Sequence, residues 1–308
     1  MNLYPLKFKP ILKPKIWGEE SWQLSAQGDD ISIVENGYLQ DNDLNDLVEV
    51  YMGELVGDHV YEKYGNQFPL LFKFITTHDN LSVQVHPDDD KAWEKHHSFG
   101  KDEMWYVVNC KKDAQLILGL AEDTNKEQLM EHLANKNFNN LLNKVVVKKG
   151  DVAFVPAGLV HALREEVFVA EIQESSDITY RIHDYDRVDK DGNRRELHIQ
   201  SALEVMDFKK HDNALINYQE KSNGAVNLVE CEHFTTNLIN FNRTIQRDYA
   251  PLDSFVVYMC VEGQANILCD DGEVEIKTGE TVLLPASTED LTLIPKTKQV
   301  KLLEIYIA

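Results

Sequence analysis

The chain has 308 residues, 43% hydrophobic and 27% charged, which suits a globular protein of one large or two ordinary domains. Its 52 acidic and 31 basic side chains give a formal charge of −21, a surface that repels nucleic-acid phosphates and anionic lipid. Neither nucleic acid nor membrane is therefore an expected partner, and a phosphorylated small molecule would need a local cluster of Lys, Arg and backbone N–H groups.

The amino-terminal stretch MNLYPLKFKPILKPKIWG is broken by prolines and lysines and has no signal-peptide core, and no apolar run approaches bilayer length, so a cytoplasmic protein is expected. The first forty residues yield no assignment, and Leu44–Glu49 shows a short helical pattern. Strand-like alternation follows at Leu81–His86, Met104–Asn109, Gln115–Gly119, Asp151–Pro156, Val167–Gln173 and Ile178–His183. Two helical patterns interrupt it. Thr124–Leu142 spaces Leu129, Met130, Leu133, Phe138, Leu141 and Leu142 along one helical face, and Glu196–Val205 carries Leu197, Ile199, Ala202 and Leu203. Strands resume at Phe234–Phe241, Phe255–Cys260, Ala265–Leu268, Glu273–Ile276, Thr281–Leu284 and Val300–Ile307. Many short strands separated by Gly, Asp and Pro predict a mainly β sandwich or barrel. Cys110, Cys231, Cys260 and Cys269 form no C-x-x-C pair, which argues against a disulfide framework or a cysteine zinc cluster.

An internal repeat organises these strands. Gly150-Asp-Val-Ala-Phe-Val-Pro156-Ala-Gly158 is echoed by Gly279-Glu-Thr-Val-Leu-Leu-Pro285-Ala-Ser287, with glycine, acid, apolar run, proline and alanine at matching offsets. The first copy is longer by about the stretch 122–143. Two related β-barrels are expected, a catalytic domain over 1–225 with a helical insertion near 122–143 and a second domain over 226–308.

The residues that bear chemistry lie in the first copy. Alternation in Leu81-Ser-Val-Gln-Val-His86 puts Ser82, Gln84 and His86 on one face and Leu81, Val83 and Val85 on the other. Glu103 heads the next strand, and His161 follows a Pro-Ala-Gly turn. Two histidines, a carboxylate and an amide oxygen suit zinc, and other divalent metals too. Singly, each has a plainer reading, Glu103 as a strand-end charge and either histidine as an ordinary hydrogen-bonded residue. Thr179, Arg181 and His183 share a predicted face, and an inward arginine needs an anion, either a ligand or a salt bridge with Glu171 or Asp184.

Gly150-x5-Pro156-x-Gly158-x2-His161 is similar to the second half of the cupin signature. The first half departs from it, with Gln84-x-His86 standing well before Glu103. In that pattern the chain resembles the type I mannose-6-phosphate isomerases, specifically their short bacterial branch. The segments carrying the resemblance are Lys15-Ile-Trp-Gly18, Pro69-Leu-Leu-Phe-Lys73-Phe, Leu81–Asp88, Gly100-Lys-Asp-Glu103-Met-Trp-Tyr, Val155–Ala162 and Glu171–Asp186. The resemblance implies two cupin-like (jelly-roll) barrels and one Zn²⁺ per chain held by His86, Glu103, His161 and Gln84. It also implies Arg181 as the essential arginine and Lys101 and Lys73 as lysines of the pocket. Asp290 and Ser287 replace His161 and Gly158 in the second copy, so that barrel is expected to hold no metal.

The expected reaction interconverts mannose 6-phosphate and fructose 6-phosphate by moving a proton between C1 and C2 through an enediolate. Arg181 would stabilise the oxyanion or steady the group that moves the proton, Lys101 would assist ring opening or hold a hydroxyl, and Lys73 would favour the phosphate. Glu171, Lys101, His183 and a metal-held water are all chemically able to move the proton. Two other readings use the same residues, a non-haem iron oxygenase and a non-catalytic sugar-binding cupin.

Overall fold

Apolar residues at every second position make strands that bury one face, and this chain repeats that device through both halves. The computed structural model describes residues 3–189, 191–212 and 214–308. Met1 and Asn2, at the head of the stretch read for a signal core, lie outside the described residues. Strands occur at Glu103–Cys110, Gln115–Leu120, Val152–Val155, Val167–Glu174 and Tyr180–His183, then at Thr235–Phe241, Val256–Glu262, Gln264–Cys269, Gly272–Lys277, Thr281–Leu284 and Val300–Tyr306. Alternation was weaker at Ile11–Lys15, Gly18–Leu24, Leu70–Thr77 and Leu142–Val146, which are strands as well. Among the described residues no helix is long and apolar enough to cross a membrane.

The first half pairs a six-stranded sheet, ordered Ile11–Lys15, Gly18–Leu24, Leu70–Thr77, Val167–Glu174, Glu103–Cys110, Val152–Val155, with a five-stranded one, Tyr180–His183, Val83–Val85, His161–Leu163, Gln115–Leu120, Leu142–Val146. Trp105, Val107, Ala153 and Val155 of the first meet Leu116, Leu118 and Leu163 of the second in one buried core. The second half repeats the scheme, with Thr235–Phe241, Val300–Tyr306, Val256–Glu262 and Thr281–Leu284 in one sheet and Ile245–Asp248, Asp290–Pro295, Gln264–Cys269 and Gly272–Lys277 in the other. The matching strand order gives the sequence repeat its structural meaning. Gln264–Cys269 and Gly272–Lys277 are joined by a two-residue turn, whereas the corresponding Gln115–Leu120 and Leu142–Val146 are separated by the helical insertion. There the helix runs only over Lys126–Ala134, and Phe138–Asn140 is a 3-10 turn. Leu142, read as helical from its spacing, instead opens a strand, because pairing with Leu120 offers its backbone a partner that a longer helix would not.

Packing divides the chain into two compact units, Met1–Ile11 with Ser21–Lys73 and Asn217–Ala308, and Leu12–Glu20 with Phe74–Ile216. The chain passes for good into the former at 217, near the expected end of the first domain. Residues 3–11 and 21–73, however, pack with the carboxy-terminal sheets. Leu6 and Leu283 exchange backbone hydrogen bonds, and Ala286 and Ser287 donate to the carbonyls of Leu55 and Glu54. Chain proximity loses here to unpaired backbone at the edge of the Thr281–Leu284 strand.

Inside that unit Glu304 is fully buried and lies opposite Tyr258, as Glu171 lies opposite Trp105 in the other half. It accepts Arg247 Nε at 3.1 Å and Nη2 at 2.7 Å, Asn237 Nδ2 at 2.9 Å, and the Tyr249 hydroxyl. Asp290, the sequence counterpart of His161, is exposed at the end of its strand. Removing the buried charge strands a guanidinium, so Glu304→Gln is expected to cost about 3 kcal/mol of stability. A urea titration checks this, and an unchanged midpoint would contradict it.

Candidate metal centre

Strand pairing brings three distant segments to one point. Gln84, on Val83–Val85, is in register with His161 at the start of His161–Leu163, and Val155 is paired with Glu103. Between Val155 and His161 the chain must turn sharply. Gly158 does so at φ +86, where an added Cβ would lie 2.9 Å from the Val205 carbonyl oxygen. Its N–H donates to the His86 carbonyl at 2.9 Å, and the Ala157 N–H donates to Asp102 Oδ1 at 2.8 Å. The corner that aims His161 is thus tied to the neighbours of the other two ligand-type residues.

His86 and His161 each donate through Nδ1 to a backbone carbonyl, Ile178 at 2.7 Å and Leu159 at 2.8 Å. A neutral ring that donates at Nδ1 carries a lone pair at Nε2, and the two Nε2 atoms stand 3.1 Å apart. Glu103 Oε1 lies 3.2 Å from His86 Nε2, while the buried Oε2 lacks a hydrogen-bond partner and lies 3.7 Å from His161 Nε2. Two facing lone pairs and an orphaned carboxylate oxygen repel one another unless a cation lies between them, so these residues fit a divalent metal. Gln84 Nε2 is 3.4 Å and 3.3 Å from the two Nε2 atoms, and a half-turn of the amide presents its oxygen to the same point. Burial, reinforced by Lys101, pushes His86 down to about 3, and burial likewise lowers His161, so both rings are neutral. Burial opposes the charge on Glu103, but the adjacent Lys101 ammonium helps hold the carboxyl below its ordinary range. Lys101 brings its Nζ to 3.5 Å from Glu103 Oε1.

Glu171 is buried and accepts the Trp105 indole N–H at 2.8 Å, and the Trp105 ring packs edge-on against His161. Lys73 is buried with Nζ 5.3 Å from the Trp22 ring centroid. Arg181 donates through Nε to Ser82 Oγ at 3.3 Å and through Nη1 to the Glu196 carbonyl at 2.7 Å. Neither Glu171 nor Asp184 is its ion-pair partner. Two alternation readings need correction. A register shift between Arg181 and His183 turns His183 to the opposite side, against Phe138 at 5.8 Å and Tyr185 at 4.9 Å, so it leaves the set of possible proton carriers. Leu81 joins Trp105 and Val107 in the interior, while Val83 and Val85 pack under the insertion, because regular strand begins only at Val83.

Trp105 and Asp102 contribute contacts that spacing alone did not single out. Asp102 also receives support from Glu174, whose Oε1 accepts the Asp102 N–H at 2.8 Å. Burial above all, then nearby Asp89, pushes the Glu174 carboxyl up to about 9. A raised carboxyl favours the protonated folded state, so its contribution is most favourable below the unfolded value of 4.5 and is lost as pH rises towards 9. Glu174→Gln is therefore expected to raise the melting temperature at pH 8 and leave it unchanged at pH 4. Equal melting curves at pH 8 would refute the neutral carboxyl.

Comparison with known proteins now adds to the geometry. Residues 10–118 match the family model "Phosphomannose isomerase type I, catalytic domain", and residues 225–301 match "Mannose-6-phosphate isomerase, cupin domain". The mannose-6-phosphate isomerase ManA of Bacillus subtilis is 32% identical over 92% of this chain and 94% of its own length. The mannose-6-phosphate isomerase of Streptococcus mutans is 36% identical over 68% of this chain and 70% of its own. A crystal structure of the Bacillus subtilis mannose 6-phosphate isomerase superposes with a TM-score of 0.87 at 30% identity, covering 98% of this chain and 99% of that one. A mutant phosphomannose isomerase from Salmonella typhimurium gives 0.77 at 15% identity over 99% of this chain and 100% of that one, a likeness of fold alone. Matched by family models at both ends and by relatives above 30% identity along nearly its whole length, the chain belongs to the type I phosphomannose isomerase family.

Proposed function

We propose that this protein interconverts mannose 6-phosphate and fructose 6-phosphate, using one zinc ion held by His86, Glu103, His161 and Gln84. The observation that carries the proposal is the pair of neutral imidazoles with Nε2 atoms 3.1 Å apart beside an unsatisfied buried carboxylate oxygen. Bound zinc would supply Lewis-acid polarisation of substrate oxygens. The chain's own groups do the rest. Lys101 brings an ammonium into a buried site, where it favours a developing oxyanion and can hand a proton to the ring oxygen as the sugar opens, leaving a neutral amine. Arg181, with guanidinium N–H groups to spare beyond Ser82 and Glu196, stabilises the negative charge that grows as the proton leaves C2 or C1. Glu171 and Lys101 remain as side chains able to carry that proton. Lys73 adds positive potential for the phosphate.

In this reading the domain expected over 1–225 carries the chemistry through residues 74–216 above all, and 226–308, with 3–11 and 21–73 packed in the same unit, is structural and metal-free. A cytoplasmic setting accords with four cysteines that are all free thiols. The test is a coupled assay for fructose 6-phosphate made from mannose 6-phosphate, run on purified protein with its metal content measured. One zinc per chain and turnover that stops with a chelator support the proposal. Oxygen uptake with iron, or sugar-phosphate binding without turnover, would replace it with the oxygenase or the binding-protein reading.

A further inference from the structure

The acceptors that hold Arg181 are themselves held by something else. Asp184 is 6% exposed and accepts Arg195 through Nε at 2.8 Å and Nη2 at 2.5 Å, and Arg187 through Nη2 at 2.6 Å. One buried carboxylate thus takes a two-pronged guanidinium from one side and a single prong from the other, a geometry that fixes both arginines in place. Each then reaches towards Arg181. Arg195 adjoins Glu196, whose carbonyl accepts Arg181 Nη1. Beyond it His198 brackets the Arg181 peptide, accepting its N–H at Nδ1 at 3.2 Å and donating its own N–H to the Arg181 carbonyl at 2.7 Å. Arg187 donates to the Asn80 carbonyl, two residues before Ser82, whose hydroxyl accepts Arg181 Nε. One acceptor of the Arg181 guanidinium therefore adjoins an Asp184 partner, and the other sits two residues from a carbonyl that such a partner holds.

We propose that Asp184 is a positioning residue, which fixes the direction of the Arg181 guanidinium by clamping Arg195 and Arg187 and, through them, the Glu196 carbonyl and Ser82. The proposal rests on Arg181 acting on the reacting atoms as read above. Asp184 touches no substrate in this account. It supplies an ionised oxygen pair, and asparagine, though nearly isosteric, offers one oxygen, no charge, and an NH₂ group facing a guanidinium.

The experiment is a double-mutant cycle on the full-length, zinc-loaded protein: wild type, Asp184→Asn, Arg181→Ala and the double variant, each with metal content and far-ultraviolet circular dichroism. D184N is expected to lower kcat by about 10- to 100-fold, since small misplacements of a catalytic group cost this much, with KM and zinc content little changed. In the R181A background the same change is expected to alter the residual kcat by less than about twofold, because residues acting as a unit are not additive. An undiminished kcat in D184N, or an equal loss with and without Arg181, would overturn the positioning role. If R181A itself retains full activity, the reading of Arg181 is what fails. Should D184N not fold, Arg195→Ala decides. It leaves Asp184 paired with Arg187, and a kcat loss of about 3- to 30-fold that vanishes in the R181A background upholds the clamp. A wild-type kcat, or a loss that persists there, removes it.

Discussion

Arg181→Ala is expected to lower kcat by about 10²- to 10³-fold, the usual cost of deleting one donor aimed at a developing oxyanion, and to leave zinc content at the wild-type level. The side chain is half-buried, its acceptors Ser82 Oγ and the Glu196 carbonyl are neutral, and among the described residues no carboxylate lies within ion-pair distance of it. A guanidinium kept from ion pairing in an acidic protein retains its charge for an anionic partner. Steady-state kinetics with metal analysis of the purified variant checks this. A fall in zinc content parallel to the fall in rate would make Arg181 a structural residue, and full activity would remove it from the reaction. Arg181→Lys should recover little, because an ammonium cannot serve Ser82, Glu196 and a substrate oxygen from one planar fork.

His161→Ala is expected to have a still larger effect, with loss of bound metal and a fall in turnover of more than about 10³-fold, equivalent to the several kcal/mol that a bound cation contributes. His86 and His161 are held from behind by the carbonyls of Ile178 and Leu159, so their lone pairs converge before any ion arrives. That convergence is unfavourable in the metal-free protein, and the strain is relieved on binding. The wild-type protein should therefore melt at a lower temperature after chelation and recover with added zinc, since a ligand that binds only the folded state stabilises it. In H161A the lone-pair conflict is gone, so chelation should barely move its melting temperature. Scanning calorimetry with and without zinc distinguishes the cases, and an equal zinc response in H161A and wild type would sink the proposed ligand set.

Much of the site was legible before any coordinates. The strings around Gln84, His86, Glu103 and His161 combined strand alternation, a Gly-Pro corner and ligand-type side chains, and the structure brings these four residues to one point. Lys101 came only from the family resemblance, and its Nζ does approach the Glu103 carboxylate. His183 shows where alternation fails. A bulge costs one residue of register, and every side chain beyond it changes face, yet nothing in Tyr-Arg-Ile-His announces the bulge. The amino-terminal strands were obscure for a related reason. Ile11–Lys15 is exposed at alternate positions on a sheet edge and contains a proline, so neither apolar period nor continuous pairing marks it.

Local patterning alone carried the strand-rich fold, the repeat, and the kinds of donor available for a metal, because period-two burial and glycine turns act over a few residues. Folding in three dimensions was needed to show that His86 and His161 donate at Nδ1 and face each other at Nε2, that His183 turns away, and that Asp184 serves Arg187 and Arg195 rather than Arg181. These are outcomes of through-space distances between strands far apart in the chain. Hydrogen bonds and charges act over only a few ångströms, so partners are fixed by sheet register and not by position along the sequence.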